Sequence, residues 1–347
     1  MAEITVNEAP VVIARQKKRP LVLDILIRMF KTKPLGFFGL VIVSIMILTA
    51  ALVDLTWLGI PIEKFRLTPY GWNEIMLQHR LAPPGAGLLL GADNVGRDLL
   101  TRVMYGARIS LTVMVIAQGL TLVIKLLVAI PSGYWAGSTF DTILQRFIDA
   151  WSAIPNLALY LTVMAVLGPG LLQVAFVLGI NGGLSATRVL RSAVIRIKED
   201  QYFEAARAIG VPTSRIMLRH VIPNVMPIIV IQLASGMGGV ISAEASLSFL
   251  GFGIPPPFPS WGGMLSGAGR QYMMVAPWMM IWPGVALSLV IFSFQMLADA
   301  LRDLIDPRLR GGLGRYGGMT QAQLEKLAEK KMAKGRAATQ KLAAGRG

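Results

Sequence analysis

Residues 143–190 read ILQRFIDAWSAIPNLALYLTVMAVL, then Gly168-Pro169-Gly170, then LLQVAFVLGINGGLSATRVL. Two largely apolar runs stand back to back, and as a helix at about 1.5 Å per residue each covers the roughly 30 Å of a bilayer's hydrocarbon. Gly-Pro-Gly breaks a helix and allows a tight hairpin. The stretch therefore reads as two antiparallel membrane spans, Ile143–Leu167 and Leu171–Leu190. Outward from it lie four more runs of similar character: Gly36–Val53, Ile109–Pro131, Val225–Leu250 and Ala276–Ala300. Six spans result, and the chain is predicted to be an all-α polytopic membrane protein. Pro155 and Pro283 fall inside the third and sixth spans and are expected to kink them. Ser138 and Asp141 read as a capping box opening the third.

Composition supports this. Of 347 residues 54% are hydrophobic and only 15% charged, with a mean hydropathy of +0.58. A water-soluble domain carries about 25% charged residues, and a disordered chain lacks this much apolar surface. With no cysteine and only His79 and His220, disulfides, a thiolate centre, a cysteine nucleophile and a histidine-rich metal site are not expected. No Ser/His/Asp or paired-carboxylate arrangement converges on a catalytic site. The long charged start, with no small-residue cleavage site, argues for an uncleaved first span rather than a signal peptide.

The net charge of +15 is unevenly distributed. Lys and Arg crowd the segment before the first span, the 188–224 loop and the tail, against only seven on the opposite side: Lys64, Arg66, Arg80, Arg97, Arg102, Arg108 and Arg270. By the positive-inside rule the crowded side is cytoplasmic, and an even span count puts both termini there. Topology thus accounts for the charge without nucleic acid. The expected organisation is a cytoplasmic segment (1–35), a first span (36–55), an extracytoplasmic loop (56–106), a five-helix core (107–303) and a basic tail (304–347).

The 188–224 loop reads as helix, turn, helix. Tyr202, Ala206 and Ile209 form an apolar stripe at i, i+4 and i+7. Gly210 stops the first helix in a left-handed turn, and Pro212 suits the start of a second helix ending near Pro223. Glu204-Ala205-Ala206, three residues, Gly210, nine residues and His220-Val221-Ile222-Pro223 resembles the EAA motif of permease subunits of ATP-binding-cassette importers. That motif usually ends I-x-L-P. His220 and Ile222, within Arg219-His220-Val221-Ile222-Pro223-Asn224, are similar to the oligopeptide/dipeptide/nickel branch.

Four further stretches resemble the C-type subunit of that branch: Gly91-Ala92-Asp93-Asn94-Val95-Gly96-Arg97-Asp98, Tyr105-Gly106-Ala107-Arg108-Ile109-Ser110-Leu111, Glu244-Ala245-Ser246-Leu247-Ser248-Phe249-Leu250-Gly251, and Leu301-Arg302-Asp303-Leu304-Ile305-Asp306-Pro307-Arg308. The resemblance covers about 88–310. It implies the type I importer permease fold, a second homologous permease as partner, two ATPase domains and an extracytoplasmic solute-binding protein, in a bacterial or archaeal cytoplasmic membrane.

In that family the EAA hairpin is the coupling helix. Carried over, Glu204 is the charged contact to the ATPase, Ala205 and Ala206 allow close approach, and Gly210 sets the turn, with His220 and Pro223 closing the motif. No G-x-x-x-x-G-K-[ST] phosphate loop occurs in the sequence. This chain is therefore expected to bind no cofactor, ATP and magnesium belonging to the ATPase partners. Relatives of this type carry dipeptides, oligopeptides, nickel chelates or oligosaccharides.

The fifth span carries small residues; Ser235, Gly238, Gly239 and Ser242, with Glu244, are the expected pathway side chains, against close helix packing as the simpler account. Glu244 is read as a hydrogen-bonding group, as are Gln118, Gln173, Gln232 and Gln295. Lys125, near the cytoplasmic end of the second span, is expected to snorkel toward the headgroups or to contact the partner permease. Arg97, Leu99, Leu100, Val103 and Met104 suggest a short helix lying in the outer interface. Residues 54–87 are read as a docking surface for the binding protein or a structural loop, and 320–347 as a solvated helix. The alternative to an importer subunit is a stand-alone secondary transporter. It needs ionisable coupling groups at mid-membrane, and only Lys125 and Glu244 are at hand.

Overall fold

The computed structural model describes residues 27, 29–53, 70–85 and 87–305. Readings that fall on 1–26, 54–69 and the tail beyond 305 lie outside the described residues. Among the described residues there are helices and no strand. In chain order the helices are α1 (Pro34–Leu52), α2 (Leu99–Tyr134), α3 (Thr139–Ser152), α4 (Asn156–Leu167), α5 (Leu171–Lys198), α6 (Gln201–Ala208), α7 (Thr213–Phe249), α8 (Trp261–Leu265), α9 (Gly267–Gln271) and α10 (Trp278–Ile305). Four of them, α1, α2, α7 and α10, are long and apolar enough to cross a membrane, and α3 with α4 makes a fifth if that bent pair is one span. The protein is a multi-pass helical membrane protein.

Several helices run past the ends expected for them. The second begins at Leu99 rather than Ile109, so Leu99, which is 1% exposed, opens α2 and no separate interfacial helix forms. Asp98 caps it, its carboxylate accepting from the Thr101 N–H at 2.9 Å. The run at Leu171–Leu190 is a single 28-residue helix extending to Lys198. It is less apolar than the four long candidate spans because Gln173, Asn181, Arg188, Arg191, Arg196 and Lys198 lie along it. Its glycines seat α2: a Cβ on Gly179 would lie 2.9 Å from the Ala117 carbonyl, and one on Gly183 2.6 Å from the Ile124 side chain. Thr121 donates to the Gly179 carbonyl across the same contact, at 3.0 Å.

The third span departs most from expectation. Instead of a kink there is an 89° bend between α3 and α4. Pro155 cannot donate to a preceding turn and biases Ile154 away from helical geometry, so the chain stops and restarts with Pro155 as the cap of α4. The corner is tied to α5 by Asn181, which accepts from the Trp151 indole at 3.0 Å and donates to the Tyr160 hydroxyl at 2.8 Å. Only half of the expected capping box forms. Ser138 accepts from the Asp141 N–H at 3.2 Å, but the Asp141 carboxylate turns to Gly137, Ser132 and Arg191. Gly168 ends α4 at φ +79°, and the Gly-Pro-Gly hairpin leads directly into α5.

Two π-helical turns lie inside α2 and α7, at Lys125–Ala129 and Met217–Val221. Each is followed two residues later by a proline, Pro131 and Pro223. A wider turn relieves the clash between a proline ring and the carbonyl four residues back. Pro223 therefore sits inside a helix that continues to Phe249, and the second arm of the loop does not end there.

The apolar interior forms three clusters. One joins α2, α4, α5 and α7 around Val113, Met164, Val174 and Leu247. The second gathers the ends of α2, α5 and α7 with α6. The third packs α1 and α10 with α2, α7 and Trp261. Helices α1 and α10 approach closely, since a Cβ on Gly39 would stand 2.6 Å from the Ser293 carbonyl. Lys33 and Asp303 pair across them.

Candidate functional site: the helical hairpin and the interhelical cavity

Helix α6 and its turn stand between the rigid ends of α5 and α7. At the turn the Gly210 N–H donates to the Arg207 carbonyl at 3.0 Å and the Val211 N–H to the Ala206 carbonyl at 3.1 Å. This is the Schellman pair, with Gly210 at φ +76°. Phe203 and Ala206 are the buried residues of α6, at 1% and 7% exposure, and pack with Ala129, Leu190, Val194 and Val225. Burial of the Phe203 ring contributes about 2–3 kcal/mol. The apolar stripe thus runs through Phe203 and Ala206. Tyr202 and Ile209, expected on it, are exposed, Ile209 by 79%. The helix turns in this way because the cluster lies on the Phe203 side, which the spacing alone does not reveal.

Glu204, Ala205, Arg207, Ala208, Ile209 and Gly210 are all exposed, so the hairpin presents small and apolar groups with one acid and one base to its surroundings. Ala206 faces inward. His220 is half-buried, its ring centroid 6.3 Å from that of Tyr202. Asn224 donates to the His220 carbonyl at 2.7 Å and to the Tyr202 hydroxyl at 3.1 Å, binding α7 to α6. Loss of solvation and the nearby Asp200 push the Tyr202 phenol above its ordinary pKa. Lys198 donates to the Tyr134 carbonyl at 2.6 Å and ties the end of α5 to the end of α2.

Helices α2, α4, α5 and α7, with Arg302 of α10, surround a cavity of about 690 Å³. Ser235, Gly239 and Ser242 line it. Gly238 does not: it packs against α10, where a Cβ would lie 3.3 Å from the Ile291 carbonyl. Glu244 also lies elsewhere, wholly buried, and accepts from Ser248 at 2.8 Å and Ser110 at 3.2 Å. Its surroundings are those of an interhelical hydrogen-bonding group.

The cavity wall includes Asn156, Tyr160, Gln118 and Gln232, which sequence reading did not assign to a pathway. Their polarity inside apolar helices is the signal that was available. Lys125 also lines it and is 1% exposed. The expected snorkelling is not what the structure has: the side chain is enclosed within the bundle, on the cavity wall it shares with α4, α5 and α7.

A polar knot before α2 completes the picture. The Asp93 carboxylate accepts from the Val95 and Arg97 N–H groups, both at 2.9 Å, and from the Arg97 guanidinium at 2.7 Å. Gly96 admits the Met76 carbonyl where no Cβ would fit, at 1.8 Å. Trp261 donates to the Val103 carbonyl at 2.9 Å, and Trp278 to that of Ala92 at 3.2 Å, fastening the first residues of α8 and α10 to this segment.

The structure is thus a bundle of long apolar helices that enclose a largely apolar cavity with a few polar groups, with one ordered hairpin between two of them. The model of the binding-protein-dependent transport system inner membrane component family matches residues 125–311. The dipeptide transport system permease protein DppC of Alkalihalophilus pseudofirmus is 34% identical over 82% of this chain and 89% of its own. A putative peptide transport system permease of Brucella suis is 36% identical over 78% and 87%. The oligopeptide permease OppC of Bacillus subtilis is 32% identical over 81% and 88%. The chain belongs to the binding-protein-dependent transport permease family.

Proposed function

We propose that this chain is the C-type translocation subunit of an ATP-driven importer of peptides. It spans the cytoplasmic membrane six times with both termini inside. It works beside a second, homologous permease, two ATPase domains that hold ATP and magnesium, and an extracytoplasmic binding protein. Peptide cargo is supported by the names of the relatives, which include dipeptide and oligopeptide permeases. The α5 helix, less apolar than the four long candidate spans, counts as a span because the Gly168 hairpin reverses it directly out of α4 and because it packs along α2.

The observation that carries the coupling role is the hairpin's division into buried and exposed residues. Phe203 and Ala206 lock it to three helix ends, while Glu204, Ala205 and Ile209 stay free. A push on the exposed residues is therefore delivered to α5 and α7 as a rigid-body motion rather than absorbed in a loop. ATP binding in the ATPase pair would draw the hairpins of the two permeases together and open the helices outward.

Glu204→Lys tests this. The exposed site should tolerate the change, so the subunit should reach the membrane in normal amount, while ATP-driven uptake falls at least about tenfold through loss of a charge-assisted contact. Normal uptake by that variant would remove the docking assignment.

A further inference from the structure

The cavity between α2, α4, α5 and α7 has a one-sided chemistry. At about 690 Å³ it is within the ~300–1,000 Å³ of small-ligand sites. Lys125 and Arg302 line it and no Asp or Glu does. Lys125 is buried to 1% exposure, yet among the described residues its amine has no hydrogen-bond or ion-pair partner. A buried charge without a partner is costly, and the lysine opens the π turn of α2, the kind of helix defect that gathers at functional sites.

Two neighbours on the wall are incomplete as well. Among the described residues, Gln118 and Gln232 each keep a buried carboxamide oxygen with no hydrogen-bond donor. The cavity thus lacks one anion and at least two N–H donors. A peptide carries both, a carboxylate at its end and N–H groups along its backbone.

We propose that Lys125 receives the terminal carboxylate of the peptide in transit, while Gln118 and Gln232 accept from its backbone amides. The proposal rests on the reading of this chain as a peptide importer's permease. An arriving carboxylate favours the protonated amine and forms a charge-assisted hydrogen bond with it. All the groups recognised are common to every peptide, so the site is indifferent to side chains. Gly239 on the α7 wall leaves room for them, since a Cβ there would meet nothing within 4 Å.

The test uses the assembled importer in proteoliposomes with its binding protein. A mixed tripeptide pool and the same pool amidated at the C-terminus are offered in parallel, with uptake quantified by mass spectrometry. The wild type should favour the free-acid pool. Lys125→Gln should cut the acid-to-amide ratio by about fivefold or more, in line with the strength of hydrogen bonds to charged groups, and Lys125→Arg should retain it. The binding protein is the same throughout, so its own preference cancels.

An unchanged ratio in Lys125→Gln with uptake preserved would overturn the carboxylate assignment alone. So would loss of the preference in an assembled Lys125→Arg importer. Equal loss of both pools, with the second permease missing from the purified complex, would mean that Lys125 pairs with a carboxylate of that subunit instead. A wild-type importer with no ATP-driven uptake of either pool would overturn the peptide-importer reading, and this proposal with it.

Discussion

Gly210 adopts φ +76°, and a Cβ on it would meet no atom within 4 Å. Any penalty for replacing it is therefore conformational rather than steric against neighbours. Gly210→Ala should cost about 1–2 kcal/mol at the turn. Gly210→Val should cost more, because a β-branched residue is still less at home in left-handed geometry. Uptake by the assembled importer should fall in that order, and equal, mild effects would show that the turn does not need its present shape. Gly210 was legible in the sequence because a helix stop is a local matter, and so was the Ser138 cap. Lys125 was not. Whether a lysine reaches the headgroups depends on what surrounds it, and α4 and α5, which share its cavity wall, lie 31 or more residues away along the chain. Glu244 illustrates the other case, since its partner Ser248 is one helical turn away and its hydrogen-bonding role was readable.

Among the elements, α3 and α4 show where the hydrophobic pattern ran out. The pattern reported enough apolar residues for a span, and Pro155 reported a disturbance. It did not report an 89° bend, which is fixed by Asn181 and by the Asp141–Arg191 pair. Asp141 is 2% exposed and accepts from both Arg191 Nε at 2.8 Å and Nη2 at 2.6 Å, fifty residues along the chain. Arg191→Met should leave that carboxylate buried without its cation and lower stability by about 2–3 kcal/mol, the arginine being only partly buried. Adding Asp141→Asn should recover part of the loss, because a neutral amide retains hydrogen bonding to Ser132. Thermal unfolding of the single and double variants in detergent measures this, and strictly additive losses would show that the pair does not hold the bend. The hairpin's inner face was misread for a related reason: Tyr202 and Phe203 are both aromatic, and only the cluster from α2, α5 and α7 decides which turns inward.

For the whole molecule, hydrophobic runs were enough to read a helical membrane protein, since they follow from the bilayer rather than from tertiary detail. Five ordered motifs carried the relationship to the permeases. The cavity and the continuity of α5 and α7 into the hairpin needed the packed structure. In the proposed function they supply a path for cargo and a handle for an engine, and the sequence holds no phosphate-binding loop of its own. The central claim is that the engine resides in other chains. Purification of the tagged subunit from its native membrane in mild detergent, with identification of each stoichiometric companion by mass spectrometry, tests it most directly. A second six-span permease together with one or two ATPase chains is the predicted result. A homo-oligomer free of any ATPase, under conditions that preserve known importer complexes, would contradict it.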